Sequence, residues 1–369
     1  MRRILFIINS FRVGGAETQL ISLIQELRKH NTDAAVISLY RHEPLADQLS
    51  ESGIDVHFLN VHSLAGLPSG ILKARRIIRQ FRPDLIHSHM YHSNLFARLL
   101  KVFMPSVRVI NTAHNTVEGG SLRYVLYRIT SGLAENVSII SRDGEQAHLS
   151  RKATPRKKLI YMPNGIDVER FQPQSDKRME KRRELGADDS FVFLSVGALS
   201  EQKNFPNALN AIRKLKDNGY SGFRVFIAGK APQGTDNDKK LLQLSEELEV
   251  KDIVRFLGLR NDIQDLMRAA DGYLSSSSWE GMPIVLLEAT ASGLPVVATD
   301  VGDTREIVRE GKNGFLVPPK DSESLAGAMM NLLDADDETR QRMGKESRKH
   351  AMDKFSIESV AKQWLEVYG

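Results

Sequence analysis

The feature that most constrains the fold is a regular alternation of short β-branched segments with longer segments of helical periodicity. Strands that alternate with helices form parallel sheets with helices on both faces. Two series of candidate strands are present, at residues 4–8, 34–39, 55–59, 85–89, 107–112, 137–140 and 159–162, and then at 191–196, 223–228, 254–257, 272–276, 296–299 and 315–317. The predicted fold class is therefore α/β, with two doubly wound Rossmann-like domains and ligands beyond the carboxyl ends of the strands.

The boundary between the two domains is expected at a Pro-Asn-Gly turn, residues 163–165, which precedes a polar and highly charged stretch. Apolar side chains recur at helical spacing near the end of the chain and predict an amphipathic helix, with Ile357, Val360, Ala361 and Trp364 on one face. We expect a first domain at 1–165 and a second at 166–354. The last segment, 355–369, is expected to pack back on the first domain.

Composition excludes several classes of protein. The chain has no cysteine, so it has neither disulfides nor thiolate metal sites. No apolar run approaches the roughly 18–20 residues of a membrane-spanning helix. The start, MRRILFIINS, resembles a signal peptide, but its apolar core of residues 4–8 is too short, and a first strand is the better interpretation. We expect a cytoplasmic protein.

The stretch EGMPIVLLEA, residues 280–289, carries a carboxylate near each end of an otherwise apolar run. Pro283 suits the first position of a helix, which Gly293 and Pro295 would end. Glu280 then precedes the helix, and Glu288 lies about one and a half turns inside it. Alone, Glu280 could simply complement the helix dipole and Glu288 could be a solvated helix residue.

Taken together, the two glutamates favour a ligand that carries both phosphate and hydroxyl groups. The free N–H groups of Ile284 and Val285, in the first turn of this helix, would face an anion. The carboxylates of Glu280 and Glu288 would accept hydrogen bonds from the sugar rings on either side of a diphosphate. Each charge-assisted hydrogen bond of this kind contributes roughly 1.5–3 kcal/mol. This arrangement indicates a nucleotide-sugar site.

Several longer segments carry a resemblance to a known family. They are SSSSWEGMPIVLLEATASGLPVVATDVGDTREIV, NSFRVGGAE, NTAHN, YMPNGID, SVGALSEQKN and VRFLGLRNDIQDLMRAADGYL. They span nearly the whole chain, and the sequence resembles the retaining glycosyltransferases of family 4. The resemblance implies the GT-B fold, in which two Rossmann-like domains face a cleft, with the acceptor on the first domain and the nucleotide sugar on the second.

The resemblance also implies the roles of individual residues. Glu280 would contact the donor sugar near the reacting centre, Lys203 would neutralise the diphosphate, and His114 would touch the donor sugar or the acceptor. These three are the catalytic candidates. The remaining donor-binding candidates are the glycine-rich loop, the backbone near the base, and the segment from the first glutamate to the second: Gly14, Gly15, Leu257, Gly258, Gly281, Met282, Pro283, Ile284, Val285 and Glu288.

This chain departs from the family at one cation. The family usually has an arginine where this sequence has Ala198, so one of two positive charges on the leaving diphosphate is absent. Either Arg12, Arg260 or Lys230 takes its place, or turnover is slow.

No cofactor and no metal are expected. No D-x-D motif follows a predicted strand, and the pattern in DADDETR, at 334–340, lies between predicted helices. In IHSHMYHSN, alternation puts His87 and His89 on one face of a strand, but no carboxylate completes a zinc set with them and His92. The resemblance implies that cations and helix amides, instead of a metal ion, stabilise the negative charge of the leaving diphosphate.

Charge is divided unevenly along the chain. Residues 1–165 hold 22 basic and 12 acidic side chains, a net charge of +10, whereas the remainder sums to −5. The basic half suits contact with an anionic membrane surface at the inner face of the plasma membrane. In SLRYVLYRITSGL, helical spacing predicts that Leu122, Val125, Leu126 and Ile129 are buried, while Arg123, Tyr124, Tyr127 and Arg128 lie elsewhere on the helix.

The resemblance predicts transfer of a hexosyl or N-acetylhexosaminyl group from a nucleoside-diphosphate sugar, with UDP the expected nucleotide, to a glycan or lipid-linked glycan. Bacterial surface polysaccharide and lipopolysaccharide are made this way. The alternative is a nucleotide-sugar epimerase of the same architecture. A nicotinamide dehydrogenase lacks support because no G-x-G-x-x-G follows the first strand. No motif supports nucleic-acid binding, and a non-reacting sugar-binding protein would usually be exported.

Overall fold

The computed structural model describes residues 1–12, 14–41, 43, 45–114, 119–173, 177–187 and 189–369. It consists of two compact units. The first contains Met1–Gly165 together with Ile357–Gly369, and the second contains Ile166–Ser356.

The first unit contains a seven-stranded sheet whose strands all run parallel. The strands are β1 (Arg2–Ile8), β2 (Thr32–Ser38), β3 (Asp55–Phe58), β4 (Leu85–His89), β5 (Arg108–Ala113), β6 (Asn136–Ile139) and β7 (Leu159–Tyr161). The helices between them are α1 (Gly15–Lys29), α2 (Leu45–Glu51), α3 (Leu67–Phe81), α4 (Tyr91–Phe103), α5 (Ser121–Ile129) and α6 (Arg142–Ser150). The spatial order is β3-β2-β1-β4-β5-β6-β7.

The second unit repeats this plan with six parallel strands. They are β8 (Phe191–Val196), β9 (Phe223–Ala228), β10 (Val254–Gly258), β11 (Gly272–Ser275), β12 (Val296–Thr299) and β13 (Gly314–Val317), in the order β10-β9-β8-β11-β12-β13. The helices are α7 (Arg178–Leu185), α8 (Phe205–Asp217), α9 (Asn237–Glu247), α10 (Ile263–Ala269), α11 (Ile284–Ala291), α12 (Thr304–Ile307), α13 (Ser322–Asp334) and α14 (Asp337–His350).

The last helix, α15 (Ile357–Tyr368), belongs to the first unit although the second unit precedes it in the chain. Its apolar face joins α1 in a core layer that contains Trp364 and Tyr368. The Tyr368 hydroxyl is 2.8 Å from Nδ1 of His87 in β4.

Each central strand is buried on both faces because helices cover both sides of the sheet. In β1, Ile4, Phe6 and Ile8 pack in the layer of α1 and α15, while Leu5 and Ile7 pack in the layer of α3 and α4. This two-sided burial explains why the strands read as continuous apolar runs. Every strand that the sequence predicts is present within a residue or two of its expected ends, so the predicted fold class is confirmed.

One predicted helix face is wrong. In α5, Tyr124 and Tyr127 are buried, whereas Leu122, Val125 and Ile129 are exposed. Tyr124 and Tyr127 lie on the buried face of the helix because the side chains around them are polar as well as apolar. Nδ2 of Asn94 donates to the Tyr127 hydroxyl at 2.9 Å.

No helix within the described ranges is long and apolar enough to cross a bilayer.

Candidate active site

The candidate site of the second unit lies where the strand order of its sheet reverses. β8 has β9 on one side and β11 on the other, so the loops after β8 and β11 leave the same sheet edge in opposite directions. Such a switch point forms a crevice at the carboxyl ends of the strands, where ligands of doubly wound sheets bind. The loop after β8 carries Lys203, and the loop after β11 carries Glu280.

Lys203 and Glu280 form a partly buried ion pair across this switch point. Nζ of Lys203 lies 2.6 Å from Oε1 of Glu280, whose side chain is 8% exposed. The same oxygen accepts a hydrogen bond of 2.8 Å from Oγ of Ser277, and Oε2 accepts one of 3.0 Å from Nε2 of Gln202. Each oxygen of the carboxylate is therefore bound, and its orientation is fixed before any ligand arrives.

Backbone contacts hold the two loops together beneath this ion pair. The N–H of Ser278 donates to the carbonyl of Gln202 at 2.7 Å, and Oγ of Ser276 donates to the carbonyl of Lys203 at 2.8 Å. Gly197 lies against the Lys203 side chain, and a Cβ at this position would lie 2.8 Å from Cε of Lys203. The serine-rich approach to Glu280 thus has a structural purpose: it joins the β11 loop to the β8 loop.

Gly302 packs against the other side of the Glu280 loop. Its φ is +54°, and a Cβ there would lie 2.4 Å from the carbonyl oxygens of both Glu280 and Gly281. The N–H of Asp303 donates to the Gly281 carbonyl at 2.8 Å. Only glycine combines this backbone conformation with so close an approach.

Helix α11 begins directly after this loop, with its first turn at the same sheet edge. Met282 and Pro283 are buried, and Pro283 precedes the helix as an extended residue instead of being its first helical residue as predicted. Ile284 and Val285 form the first turn, whose N–H groups have no carbonyl partner within the helix.

Glu288 lies in α11, half-buried between the apolar side chains of Leu287 and Ala289. Burial raises its pKa to about 7, and the positive charges of Arg170 and Lys203 oppose this rise. Burial likewise raises the pKa of the Tyr273 hydroxyl, with smaller contributions from the negative charges of Glu288 and Glu280. The site therefore holds two carboxylates in different environments. Glu280 is ion-paired, and the pKa of Glu288 is close to neutral pH.

Leu257 and Gly258 end β10, at the edge of the sheet. The register of β10 against β9 shifts between Phe256 and Gly258, and Gly258 has a φ of +68°. Its carbonyl accepts a hydrogen bond of 2.8 Å from the N–H of Gly229. Gly258 is exposed at the carboxyl end of this strand.

Two of the three candidate replacements for the family arginine are engaged elsewhere. Arg260 is bound by Asp262 and Glu184 at 2.6 and 2.8 Å. Arg12 belongs to the first unit and pairs with Glu43 at 3.2 Å. Lys230 is exposed, and its carbonyl accepts a hydrogen bond of 2.9 Å from the N–H of Leu199, next to Ala198. Lys230 therefore lies beside the position of the missing arginine.

The first unit has its own switch point, between β1 and β4. Oδ1 of Asn9, just after β1, accepts hydrogen bonds from the N–H and Oγ of Ser93, in the first turn of α4, at 2.9 and 2.6 Å. This bridge is buried and uncharged.

Gly14, in the glycine-rich segment after β1, directly precedes α1. A Cβ on Gly14 would lie 2.6 Å from a carboxylate oxygen of Glu17, which is buried in the first turn. Burial raises the pKa of Glu17, while its own backbone hydrogen bond lowers it and the negative charge of Glu43 raises it further. Gly15 is exposed as the first residue of the helix.

His114 follows β5 and forms a hydrogen-bonded pair with His89, as its Nε2 lies 2.9 Å from Nδ1 of His89. The ring of His87 lies 4.2 Å from that of His89, so the predicted shared face is confirmed. Burial lowers the pKa of His87 to about 3 and that of His114 to about 4, and it lowers the pKa of His89 well below the ordinary value. All three rings are neutral at neutral pH.

The hydrogen-bond network assigns the tautomers of this pair. Nε2 of His89 is buried without a partner. A proton there would be an orphaned buried donor, which is rarer in proteins than an orphaned acceptor. His89 therefore carries its proton on Nδ1 and donates it to Nε2 of His114, so that His114 carries its own proton on Nδ1. His114 thus presents a donor beyond the end of β5.

The structure brings Lys203, Glu280, Glu288 and the start of α11 to one sheet edge of the second unit, and it gathers the glycine-rich loop and His114 at the carboxyl ends of the strands of the first. Sequence reasoning missed several side chains that contact these groups or lie within reach of their charge: Gln202, Ser277, Tyr273, Glu17 and His89. Four of them lie within the segments that carry the family resemblance, and His89 shares a strand face with His87, but neither signal shows what these side chains contact. No group of three metal-binding side chains was found in the described part of the chain.

Two family models match the chain. The family "Glycosyl transferases group 1" matches residues 176–350, and "Glycosyltransferase Family 4" matches residues 13–170. The D-inositol 3-phosphate glycosyltransferase of Corynebacterium urealyticum is 33% identical over 304 residues, which cover 77% of this chain and 71% of that protein.

Two further similarities extend over most of the chain. The UDP-Gal:alpha-D-GlcNAc-diphosphoundecaprenol alpha-1,3-galactosyltransferase of Escherichia coli is 25% identical over 327 residues, covering 85% of this chain and 83% of its own. The crystal structure of HepE from Anabaena in complex with UDP has a TM-score of 0.87 at 23% identity, covering 100% of this chain and 99% of that one. The protein belongs to the family 4 glycosyltransferases and has the GT-B type of fold.

Proposed function

We propose that this glycosyltransferase moves a hexosyl or N-acetylhexosaminyl group from a UDP-sugar to a glycan or lipid-linked glycan, with retention of the anomeric configuration. The observation that carries the proposal is the ion pair of Lys203 and Glu280 at the second unit's switch point, next to the first turn of α11. The Escherichia coli relative, whose name contains UDP-Gal and a diphosphoundecaprenol-linked acceptor, supports both the nucleotide and the class of acceptor.

In this proposal the second unit binds the donor. The ammonium of Lys203 and the first-turn N–H groups of Ile284 and Val285 bind the diphosphate, because both are positive at the same sheet edge. Glu288 accepts hydrogen bonds from the ribose hydroxyls, and the backbone at Leu257 and Gly258 faces the base. Gly14 and Gly15 of the first unit are proposed as further diphosphate contacts, since glycines let the backbone approach the anion closely.

Transfer breaks the bond between the anomeric carbon and the diphosphate oxygen. The electron pair of that bond stays with the diphosphate, so negative charge grows where Lys203 is held. Preorganised positive groups at such a point are usually the largest contribution to catalysis. The acceptor oxygen forms the new bond on the same face, and its proton passes to the departing phosphate oxygen. Glu280 positions Lys203 and the sugar and does not act as a nucleophile, and Nδ1 of His114 donates a hydrogen bond to the sugar or the acceptor.

The first unit is proposed to bind the acceptor. Its residues 1–165 carry a net charge of +10, which suits an acceptor held at an anionic membrane surface. Surface polysaccharide or lipopolysaccharide synthesis at the inner face of the plasma membrane would supply such an acceptor.

No metal and no cofactor are part of the proposal, because Lys203 and the α11 amides supply the positive charge that a metal supplies elsewhere. We expect the purified enzyme to keep its rate in excess chelator. A loss of activity that magnesium or manganese restores would contradict this.

The proposed function is tested by measuring UDP release from UDP-glucose, UDP-galactose and UDP-N-acetylglucosamine. Each is assayed with and without N-acetylglucosamine linked through diphosphate to a short polyprenol. We expect release from one donor, only with the acceptor, and an α-linked product by NMR. Sugar interconversion without an acceptor would favour the epimerase instead, and a β-linked product would contradict retention.

A further inference from the structure

A cavity of about 1080 Å³ lies in the second unit, at the amino ends of two of its strands. Asp271 and Pro295 line this cavity and directly precede β11 and β12. The candidate donor site lies at the carboxyl ends of the strands, so the two places are at opposite edges of one sheet. The volume of the cavity is comparable with that of small-molecule sites.

The end of α11 and one face of α14 form two walls of the cavity. Residues 292–295 follow α11, and Lys345 and Arg348 lie on adjacent turns of α14. The two helices are closely packed, because a Cβ on Gly344 would lie 2.4 Å from the carbonyl oxygen of Gly293. Direct helix packing therefore holds both walls in place.

Positive charge predominates around the cavity. Among the described residues that line it, six are basic and three are acidic. Each acidic side chain already forms an ion pair: Asp271 with Arg178, Asp337 with Arg340 and Asp353 with Lys349, at 2.5, 2.6 and 2.8 Å. Arg268 pairs with Asp265 at 2.7 Å. The two remaining cations, Lys345 and Arg348, have no ion-pair partner in the described part of the chain, although like charges three residues apart on a helix repel.

Arg348 is anchored through one of its three nitrogens. Nη1 donates to the carbonyls of Val168, Phe171 and Ala291, each at 2.7 Å. Ala291 is the last residue of α11, so this contact also places a positive charge at the negative end of that helix. Burial lowers the pKa of Arg348, and the negative charge of Glu169 opposes this shift.

The other two nitrogens of Arg348 are available to a ligand. Nε and Nη2 have no hydrogen-bond partner among the described residues, so the capping of α11 leaves them unused. Together they form the planar edge of a guanidinium that binds two oxygens of a phosphate or a carboxylate.

Ser292 contributes a polar atom that lacks a partner. The residue lines the cavity and is 4% exposed, and its Oγ is buried without a hydrogen bond. Its backbone N–H donates to the Glu288 carbonyl at 2.9 Å, so the backbone donor is satisfied and the hydroxyl is not. A buried hydroxyl without a partner is unfavourable, and a ligand oxygen in the cavity would satisfy it.

We infer that this cavity is a second ligand site, which binds a small phosphate ester with an apolar portion. The phosphate oxygens bind to Nε and Nη2 of Arg348, to the ammonium of Lys345 and to the Ser292 hydroxyl. The apolar portion contacts Met267 and Leu294, which also line the cavity. A phosphate ester carries about 1.5–2 negative charges at neutral pH and so compensates both cations, whereas a single carboxylate compensates one.

An occupant of this cavity contacts the end of the helix that begins at the candidate donor site. Helix α11 has 8 residues and is therefore about 12 Å long. The inference goes beyond the proposed function and does not depend on it, because binding of a phosphate ester is measured without a UDP-sugar and without an acceptor.

The test is calorimetric titration of the full chain with phenyl phosphate, which joins a phosphate to an apolar ring. Inorganic phosphate and benzoate are the comparison ligands. The titrations use Lys203→Ala, because this substitution weakens phosphate binding at the candidate donor site. We expect one equivalent of phenyl phosphate to bind, and to bind more tightly than either comparison ligand. Benzoate binding as tight as that of phenyl phosphate would contradict the assignment of a phosphate ester.

Charge reversal at Lys345 is the most direct variant. In the Lys203→Ala background, Lys345→Glu should weaken binding of phenyl phosphate by about tenfold or more, because one of two cations becomes an anion. The matched control is Lys312→Glu, which reverses the charge of another exposed lysine of the same unit. It should bind phenyl phosphate as the background protein does. Absence of saturable binding, equal affinity in Lys345→Glu, or an equal loss in Lys312→Glu would overturn the inference.

Ser292→Ala separates binding from stability. Because it removes a buried hydroxyl that has no partner, the melting temperature of the free protein should stay the same or rise. Affinity for phenyl phosphate should nevertheless fall several-fold. Unchanged affinity in this variant would contradict the placement of the phosphate beside Ser292.

A second readout is the coupling of the two sites through α11. Saturating phenyl phosphate should change the affinity of the wild type for UDP several-fold, and UDP should change the affinity for phenyl phosphate by the same factor. Lys345→Glu should abolish this coupling. Equal UDP affinities with and without phenyl phosphate would show that α11 transmits nothing between the two sites.

Discussion

The two sheets share one strand order around their switch points, but different chemistry joins the loops there. In the first unit the contact is neutral, since Asn9 accepts two hydrogen bonds from Ser93. In the second it is the ion pair of Lys203 and Glu280. The comparison shows that the fold supplies the place for a ligand, while the loop residues decide which ligand that place can hold.

The residues around the two switch points show the same contrast between neutral and charged groups. The first unit gathers three histidines whose pKa is lowered by burial, so that all three are neutral at neutral pH. The second places a cation, two carboxylates and a helix start at one edge. A diphosphate requires the charged arrangement, whereas sugar hydroxyls can be bound by neutral donors. This difference supports the proposal that the second unit binds the diphosphate and that His114 donates a neutral hydrogen bond.

Of the substitutions that test this difference between the two units, Lys203→Ala should have the largest effect on activity. We expect kcat/KM to fall by about 10²–10³, the cost of removing one preorganised group from a developing negative charge. Steady-state kinetics with the UDP-sugar measure this change. Lys181→Ala is the matched control, because Lys181 is equally buried, 16% against 18% exposed, and pairs with Asp262 at 2.8 Å in the same unit. If both variants lost activity equally, the lysine would contribute stability and not catalysis.

Gly302→Ala should displace the loop that holds Glu280. A Cβ there would meet two backbone oxygens at 2.4 Å, whereas at Gly311, with a similar positive φ of +68°, nothing lies within 4 Å. Both substitutions strain the backbone at a positive φ. The difference between their effects on the free energy of unfolding therefore measures the cost of the clash at residue 302. We expect Gly302→Ala to lower the free energy of unfolding by about 1–3 kcal/mol more than Gly311→Ala. Urea denaturation measures both, and equal values would contradict the close packing.

Donor affinity should depend on pH through Glu288. Its pKa in the folded protein is about 7, raised above the ordinary value of 4.5, so ionisation costs stability as pH rises from about 4.5 to 7. If ribose hydroxyls donate to the ionised form, as proposed, the affinity for a UDP-sugar should increase about tenfold between pH 6 and pH 8. Calorimetric titration at several pH values measures this. The diphosphate of a UDP-sugar does not titrate there, so Glu288→Gln should abolish the dependence, and a dependence that persists in this variant would point to another group.

His89 should act through His114 with a smaller effect. His89→Leu removes the proton that holds the His114 tautomer, whereas His89→Asn places an amide N–H where Nδ1 was. We expect His89→Leu to lower kcat several-fold and His89→Asn to restore most of it, with ¹⁵N NMR reporting the tautomer of His114 in each. An unchanged tautomer and rate in His89→Leu would assign His89 to packing alone.

The fold could be predicted from the sequence because two-sided burial imposes continuous apolar strands. The orientation of α5 could not be predicted in this way. Aliphatic residues on one face normally indicate the core side, but Tyr124 and Tyr127 bury more area and carry hydroxyls that polar neighbours can bind. Periodicity counts apolar positions and does not register the hydrogen-bond partners that decide between two candidate inner faces.

Spacing alone predicted the part of the site whose residues lie close together in the chain, and the family resemblance added Lys203 but not its ion pair with Glu280. The spacing of Glu280 and Glu288 indicated a helix start with two carboxylates. The ion pair of Glu280 with Lys203 joins loops 77 residues apart, and the supporting contact from Gln202 has a similar separation. Such contacts depend on which strands become neighbours, and that is a property of the sheet and not of the local sequence.

The most direct test of the charged switch point is the binding of UDP, measured by isothermal titration calorimetry. The account predicts that wild type and Ser93→Ala bind UDP equally, because the neutral bridge of the first unit takes no part. It also predicts that Lys203→Ala and Glu288→Ala each lose about tenfold or more in affinity, the equivalent of one charge-assisted hydrogen bond. Equal affinity in all four proteins, or a loss in Ser93→Ala alone, would contradict the account.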